Sequence, residues 1–122
     1  INVGPEAEFF VFDSAEFHNN QNSAGYTINS EEGHWNSGRR DNDYPNMGYH
    51  IRPKEGYVPV APLDSLIDLR NTISLVLESV GIDVECHHHE VATAGQCEID
   101  FRFSNLLDTA DNLMLFKYVV KN

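Results

Sequence analysis

Two glutamates near the start of the chain have the spacing of paired metal ligands. Glu6 and Glu8 are separated by one residue, so on an extended strand their side chains point to the same face, with Cα atoms roughly 7 Å apart. An apolar run at 9–12 follows Glu8, and burying a carboxylate there without a partner costs several kcal/mol. The pair is a candidate cation site, although two solvated carboxylates at a strand end are the commoner occurrence.

A second group of polar residues begins with three consecutive histidines. His87 and His89 would point to one face of a strand and His88 to the other, so the three cannot bind one ion together. They also lack the helical spacing of the HExxH hydrolases, and we expect structural roles for them. Glu90 and Glu98 differ, because the turn between them can fold one back onto the other. Oxygen ligands of this kind suit Mg²⁺ or Mn²⁺.

Strict strand alternation opposes this metal site. It places Glu90 on the apolar face of the first strand, whereas Glu98 takes the polar face of the second. A bend or a one-residue bulge would bring both carboxylates to the same face. We therefore expect such an irregularity near Glu90.

The net charge of the chain limits the classes of partner that it can bind. The 122 residues include 19 acidic and 8 basic side chains, which gives a formal charge of -11. This surplus repels nucleic acid phosphates and anionic membrane surfaces, and it favours metal cations. We predict neither nucleic-acid nor membrane binding.

Cysteine use and hydropathy indicate a compartment. Cys86 and Cys97 have no CxxC spacing, which favours buried thiols in a reducing environment over a disulfide scaffold. No apolar run approaches the roughly 20 residues that a membrane helix needs. These features predict a cytoplasmic protein.

The first half of the chain has few regular patterns. A buried strand is predicted at 7–12, bounded by Asp13 and Ser14. The polar segment 19–46 has the composition of a long functional loop with room for a small hairpin. A further short strand is predicted at 54–60, limited by Pro59.

The second half has clear periodicity. Apolar residues at helical spacing follow Pro62, with Asp64 or Ser65 as the N-cap and Gly81 after the C-terminus. Alternating segments at 82–89 and 96–103 predict an antiparallel hairpin, and a second amphipathic helix is predicted at 106–120. The predicted fold is α+β: a mostly antiparallel sheet with both helices packed on one face.

Four segments carry a family resemblance. They read GPEAEFF at 4–10, KEGYVPVAP at 54–62, HHHEVATAGQCE at 87–98 and YVVKN at 118–122. In order and spacing they resemble bacterial-type glutamine synthetase, most weakly between His18 and Asn46. The resemblance implies that residues 1–122 are the N-terminal part of the catalytic domain. We expect this part to be incomplete at both ends, since it starts without Met and its last helix has no stop signal.

The resemblance implies a reaction and a set of metal ligands. Glutamine synthetases use ATP to convert glutamate to γ-glutamyl phosphate, which ammonia attacks to give glutamine, and two Mg²⁺ or Mn²⁺ ions assist. Glu8, Glu90 and Glu98 match the ligands of the ion on the glutamate side. Glu6 matches a ligand of the ion near the transferred phosphate.

Further positions match with less specific motifs. Tyr57 and Glu90 correspond to the ammonium site, and Glu85 and Phe103 to the nucleotide side. Ala7 stands where the family often has Pro, and Cys97 where Asn is common. Neither departure removes a carboxylate.

The resemblance also implies parts that lie outside these residues. The family completes its second metal site, phosphate site and flap later in the chain, and it assembles as homo-oligomeric rings. We therefore expect the 122 residues alone to be inactive. Two alternatives stay open: a γ-glutamyl ligase for another amine, and a non-catalytic metal-binding or scaffold homologue.

Overall fold

The computed structural model describes residues 1–38 and 50–122. It contains seven strands and two helices in these ranges: β1 Asn2–Val3, β2 Glu6–Phe10, β3 Ser14–Asn20, β4 Ser23–Asn29, α1 Ile67–Ser79, β5 Val84–His89, β6 Gln96–Phe101, β7 Ser104–Asn105 and α2 Leu106–Lys121. A short 3₁₀ turn covers His34–Asn36. No helix in these two ranges is long and apolar enough to cross a membrane.

The main sheet has three antiparallel strands in the order β2-β6-β5. Its apolar face contributes Ala7, Ile99 and Phe101 to the core, where they meet Leu77 of α1 and Phe116 of α2. Because both helices pack on this face, the opposite face of the sheet is left to polar side chains. The predicted α+β fold is confirmed.

Helix ends follow local side-chain chemistry. At the start of α2, the Asn105 side chain accepts hydrogen bonds from two backbone amides of the first turn, which stabilises the helix N-terminus. Gly81 adopts a φ of +94° after α1, as predicted for the residue following a helix. The N-cap of α1 is Leu66, however, and not Asp64 or Ser65.

Asp64 is diverted from capping by a buried ion pair. Its carboxylate binds both terminal nitrogens of Arg70, at 3.0 Å for Nη1 and Oδ1, with a second short contact between Nη2 and Oδ2. Both side chains are buried. A charge on the inner face of an amphipathic helix is tolerated only with such a partner.

The small hairpin for which the predicted loop at 19–46 had room is present, and its first strand begins earlier, at Ser14. Strands β3 and β4 pair from Ser14↔Asn29 to Asn20↔Ser23, and Phe17 lies opposite Tyr26 with both rings largely exposed. The prediction for 39–46 lies outside the described residues.

The strand predicted at 54–60 is wrong. Lys54 and Val58 have positive φ angles of 66° and 50°, which are incompatible with an extended strand. The segment is instead held against the end of the β5–β6 hairpin by backbone hydrogen bonds. Lys54 N donates to Ala92 O at 2.7 Å, and Val58 N donates to His89 O at 3.1 Å.

The two cysteines differ in exposure. Both thiols are free, and Cys97 is buried whereas Cys86 is exposed. The expectation of two buried thiols is therefore wrong for Cys86. A change of strand phase just before this residue turns its side chain away from the core.

Candidate metal centre

A bulge in β5 brings the two hairpin carboxylates to one face. Val84 pairs with Phe101 and Cys86 with Asp100, so Glu85 is an extra residue in the strand. One inserted residue reverses the alternation of every side chain that follows. The expected irregularity is therefore present, but it lies five residues before Glu90 instead of beside it.

Three potential ligand atoms meet on the polar face of the sheet. His88, Glu90 and Glu98 each contribute one atom, and all three atoms lie within 4.8 Å of one another. Glu90 and Glu98 are only 8% and 4% exposed, and His88 Nε2 lies 3.7 Å from Glu98 Oε2. We call these three residues the ligand cluster.

His88 joins this cluster although the sequence suggested a structural role. Its neighbours face the other way: His87 contacts Asn71 and Arg70 of α1, and His89 is buried. Alternation separates His88 from the other two histidines, as predicted. Only the phase of the strand, which the bulge sets, assigns it to the carboxylate side.

The N-terminal pair lies beside the cluster. Glu8 is directly opposite Glu98 on the neighbouring strand, and Glu6 is opposite Asp100. Glu8 Oε2 accepts a hydrogen bond from Gln96 Nε2 at 3.0 Å. Both glutamates are exposed, and Asp100 is an acidic neighbour that the sequence analysis had not singled out. Its i+2 spacing from Glu98 was the available signal.

The cluster is electrostatically costly without a cation. Burial raises the pKa of Glu98 to about 8, and the negative charges of Asp100, Glu90 and Glu8 act in the same direction. Like charges directly opposite each other destabilise a sheet. A divalent cation among oxygen ligands would reverse the sign of these interactions, so the donor set fits Mg²⁺ or Mn²⁺.

The remaining predicted site residues lie in two different environments. Tyr57 stands edge-on to His88, with ring centroids 5.6 Å apart, so it borders the ligand cluster. Glu85 and Phe103 are exposed, and Glu85 lies 3.8 Å from Arg102 Nε. Neither contributes an atom to the cluster found among the described residues.

Glu32 is a buried acid that the sequence analysis missed. Its carboxylate is 2.9 Å from His89 Nε2 and also accepts hydrogen bonds from the backbone amides of Gly95 and Ser65. Burial alone would raise the pKa of Glu32, but these hydrogen bonds outweigh it and the pKa lies below its ordinary value. Glu32 follows Glu31 in a polar loop, and this local sequence gave no signal of its role.

His89 is the cationic partner of Glu32. Burial tends to lower the pKa of His89, yet the hydrogen bond and charge of Glu32 raise it above its ordinary value. The shifts of both groups favour an ion pair. His89 immediately precedes Glu90 in the chain, so the ion pair lies next to the ligand cluster.

Comparison with known proteins identifies the family. The family model described as the catalytic domain of glutamine synthetase matches residues 1–122. The chain belongs to this family. It is 54% identical over 120 residues to a glutamine synthetase of Nostoc sp. and 55% identical over 119 residues to one of Streptomyces coelicolor. The resemblance drawn from the four sequence segments is thus confirmed.

A solved structure supports the same conclusion for the fold. The cryo-EM structure of Plasmodium falciparum glutamine synthetase matches with a TM-score of 0.82 and 27% identity, over 98% of this chain and 24% of that chain. The Nostoc and Streptomyces relatives are covered over 25% of their own lengths. The chain therefore spans about a quarter of the length of the glutamine synthetases that it matches.

Proposed function

We propose that the protein containing this chain is a glutamate-ammonia ligase that forms glutamine with hydrolysis of ATP. Membership of the glutamine synthetase family supports the reaction class. The observation that carries the proposal is the convergence of His88, Glu90 and Glu98 with Glu8 opposite. Carboxylates of like charge held this close together have a clear use if they bind the cations that ATP chemistry requires.

The carboxylates are proposed to divide between two metal positions. Glu8, Glu90 and Glu98 would hold the ion on the glutamate side, and Glu6 would contribute to the ion near the transferred phosphate. When bound, Mg²⁺ or Mn²⁺ ions offset negative charge on the phosphates and on the reacting carboxylate. The chain's own contribution is to keep these carboxylates on one face of a rigid sheet.

The substrates are glutamate, ATP and ammonia. The γ-carboxylate of glutamate attacks the γ-phosphorus of ATP and ADP leaves. Ammonia then attacks the carbonyl carbon of γ-glutamyl phosphate, and phosphate leaves as glutamine forms. Glu90 and Tyr57 are proposed to border the ammonium, because a carboxylate attracts the cation and a polar aromatic ring can enclose it. Glu85 and Phe103 are proposed to lie on the nucleotide side.

Other properties are proposed from the family resemblance. The protein would work in the cytoplasm as a homo-oligomeric ring. Because further metal and phosphate ligands lie outside these 122 residues, the isolated piece would not form glutamine. Activity tests therefore need the protein at the length of its relatives.

The proposal is tested by ATP-dependent glutamine formation with Mg²⁺ or Mn²⁺. We expect activity with ammonium and at least about a hundredfold loss for Glu98→Gln, because even residues that only support metal ligands typically contribute 10–100-fold. Glu16→Gln, which changes an exposed glutamate of β3, is the matched control and should retain activity.

Two results would contradict the proposal. Phosphate release with methylamine or polyamines but not with ammonium would indicate a ligase for another amine. Mn²⁺ binding without any coupling to ATP binding would indicate a non-catalytic homologue.

A further inference from the structure

The buried Glu32 carboxylate joins segments that are distant in sequence. Its Oε1 accepts from Ser65 N at 2.7 Å and from Ser65 Oγ at 3.0 Å. Its Oε2 accepts from Gly95 N at 2.8 Å and lies 2.9 Å from His89 Nε2. One carboxylate with all its acceptor sites in use thus joins the polar loop, the residue before the N-cap of α1 and the β5–β6 hairpin.

The His89 ring extends this network towards the ligand cluster. Its Nδ1 is 2.7 Å from Gly56 O and 2.9 Å from Glu90 O. Carbonyl oxygens only accept hydrogen bonds, so Nδ1 is the donor to Gly56 and Glu90, while Nε2 faces the Glu32 carboxylate. The His89 ring therefore connects Glu32 to the backbone of Glu90 and to the segment that carries Tyr57.

The segment around Tyr57 needs this support. Val58 is a β-branched residue with a φ of 50°, a conformation that persists only where its surroundings enforce it. Gly56 lies so close that an added Cβ would be 2.6 Å from Glu90 O and 2.9 Å from His89 Cε1. The His89 ring and the Glu90 backbone thus form the surface on which this strained turn rests.

We propose that the Glu32–His89 pair is a positioning device that holds Tyr57 and the Glu90 carboxylate beside the metal and ammonium sites. The inference rests on the proposed function, to which it adds two residues that touch neither substrate nor metal. Glu32 fixes the orientation of the His89 ring, and the ring fixes both backbone carbonyls. Loss of the contact between Glu32 and His89 should loosen Tyr57 and Glu90 together while leaving the nucleotide side unchanged.

The first test is Glu32→Gln in the protein at the length of its relatives. The carboxylate accepts hydrogen bonds at both oxygens, whereas an amide has one oxygen and one NH₂ group. In either orientation of the amide, its NH₂ group faces another donor, so rotating the side chain cannot restore the network. We expect KM for ammonium to rise about 10–100-fold and Mn²⁺ affinity to fall at least tenfold, as is typical when a residue that orients metal ligands is changed. KM for ATP should change less than about twofold in comparison.

Asp64→Asn is the matched control. It also converts a buried, ion-paired carboxylate into an amide, but the Asp64 side chain binds Arg70 and Leu66 N, not the Tyr57 segment. We expect it to lower stability without raising KM for ammonium or weakening Mn²⁺ binding. Equal effects of the two variants on these constants would overturn the positioning role.

A second pair of variants tests the contacts of the two His89 ring nitrogens separately. These variants still decide the question if Glu32→Gln does not fold. His89→Asn keeps a donor near Nδ1 for the two carbonyls, whereas His89→Gln keeps one near Nε2 for Glu32. We expect the larger rise in KM for ammonium from His89→Gln, because it frees the carbonyls of Gly56 and Glu90. The reverse order would overturn the proposal.

Failure of the proposed function has a different signature. If the wild-type protein formed no glutamine, the proposed function would be contradicted. The positioning role would then be tested by Mn²⁺ titration alone. In that case a wild-type Mn²⁺ affinity in Glu32→Gln overturns the inference, and a tenfold weaker affinity supports it.

Discussion

Replacing Glu98 by Gln should stabilise the metal-free protein and remove its response to metal. The carboxyl is 4% exposed, and burial with three acidic neighbours raises its pKa from 4.5 to about 8. Since the pKa is higher in the folded state, stability is lost as the pH rises from 4.5 towards 8 and is unaffected below this window. At 1.36 kcal/mol per pH unit, the interval from 4.5 to pH 7 corresponds to about 3 kcal/mol.

Solvent reduces this value. Glu8 is exposed, so water screens part of the repulsion, and we expect Glu98→Gln to gain about 1–2 kcal/mol at pH 7 in chelator. In the wild type, a divalent ion at a hundred times its Kd should add about 2.7 kcal/mol, a gain that the variant should lack. Urea unfolding at pH 4.5, 7 and 8.5, with chelator or Mn²⁺, measures both effects.

Glu16→Gln is again the control, because the Glu16 side chain is exposed. Its stability should equal that of the wild type both in chelator and with Mn²⁺. The reasoning would be refuted if Glu98→Gln were no more stable than the wild type in chelator at pH 8.5. It would also be refuted if the stability difference between the two proteins were the same at pH 4.5 as at pH 8.5.

Three further substitutions test packing and backbone strain. Arg70→Met should cost about 3–5 kcal/mol in urea unfolding because it leaves the Asp64 carboxylate buried and unpaired, and most of this loss should return in the double variant with Asp64→Leu. Gly95→Ala should destabilise more than Gly81→Ala by the same measurement: both glycines have positive φ, but only at Gly95 would an added Cβ collide with the carbonyl of a neighbouring segment. Val58→Asn should raise the melting temperature, with a gain of about 1 kcal/mol, because asparagine tolerates a positive φ better than valine and the valine side chain is 53% exposed; an unchanged or lower melting temperature would contradict strain at Val58.

Periodicity was sufficient for the second half of the fold. The helical spacing of apolar residues predicted α1 and α2, and alternation predicted the hairpin of β5 and β6, because each pattern reflects burial of one face. Periodicity could not show that Arg70 is buried on the inner face of α1. Arg70 can be buried there because Asp64 pairs with it, and this contact results from tertiary packing and not from the capping propensity of Asp64.

The site was predictable in its residue types but not in its phase. Glu90 and Glu98 were expected to meet only if an irregularity intervened, and a register shift is a property of the paired strands that no single strand pattern encodes. No local sequence pattern indicates the role of Glu32. Its contact with His89 spans 57 positions, and local sequence around it is that of an ordinary loop.

The bulge at Glu85 has an evolutionary consequence. Deleting this one residue would leave Val84 opposite Phe101 and Cys86 opposite Asp100, so His88 and Glu90 would keep the carboxylate face. The strand is regular beyond the bulge, and there a deletion or insertion of one residue would turn His88 and Glu90 towards the helices together. Among relatives that keep the reaction, changes of length should therefore be found at the bulge or in the turn of the β3–β4 hairpin and be absent between Cys86 and Glu90.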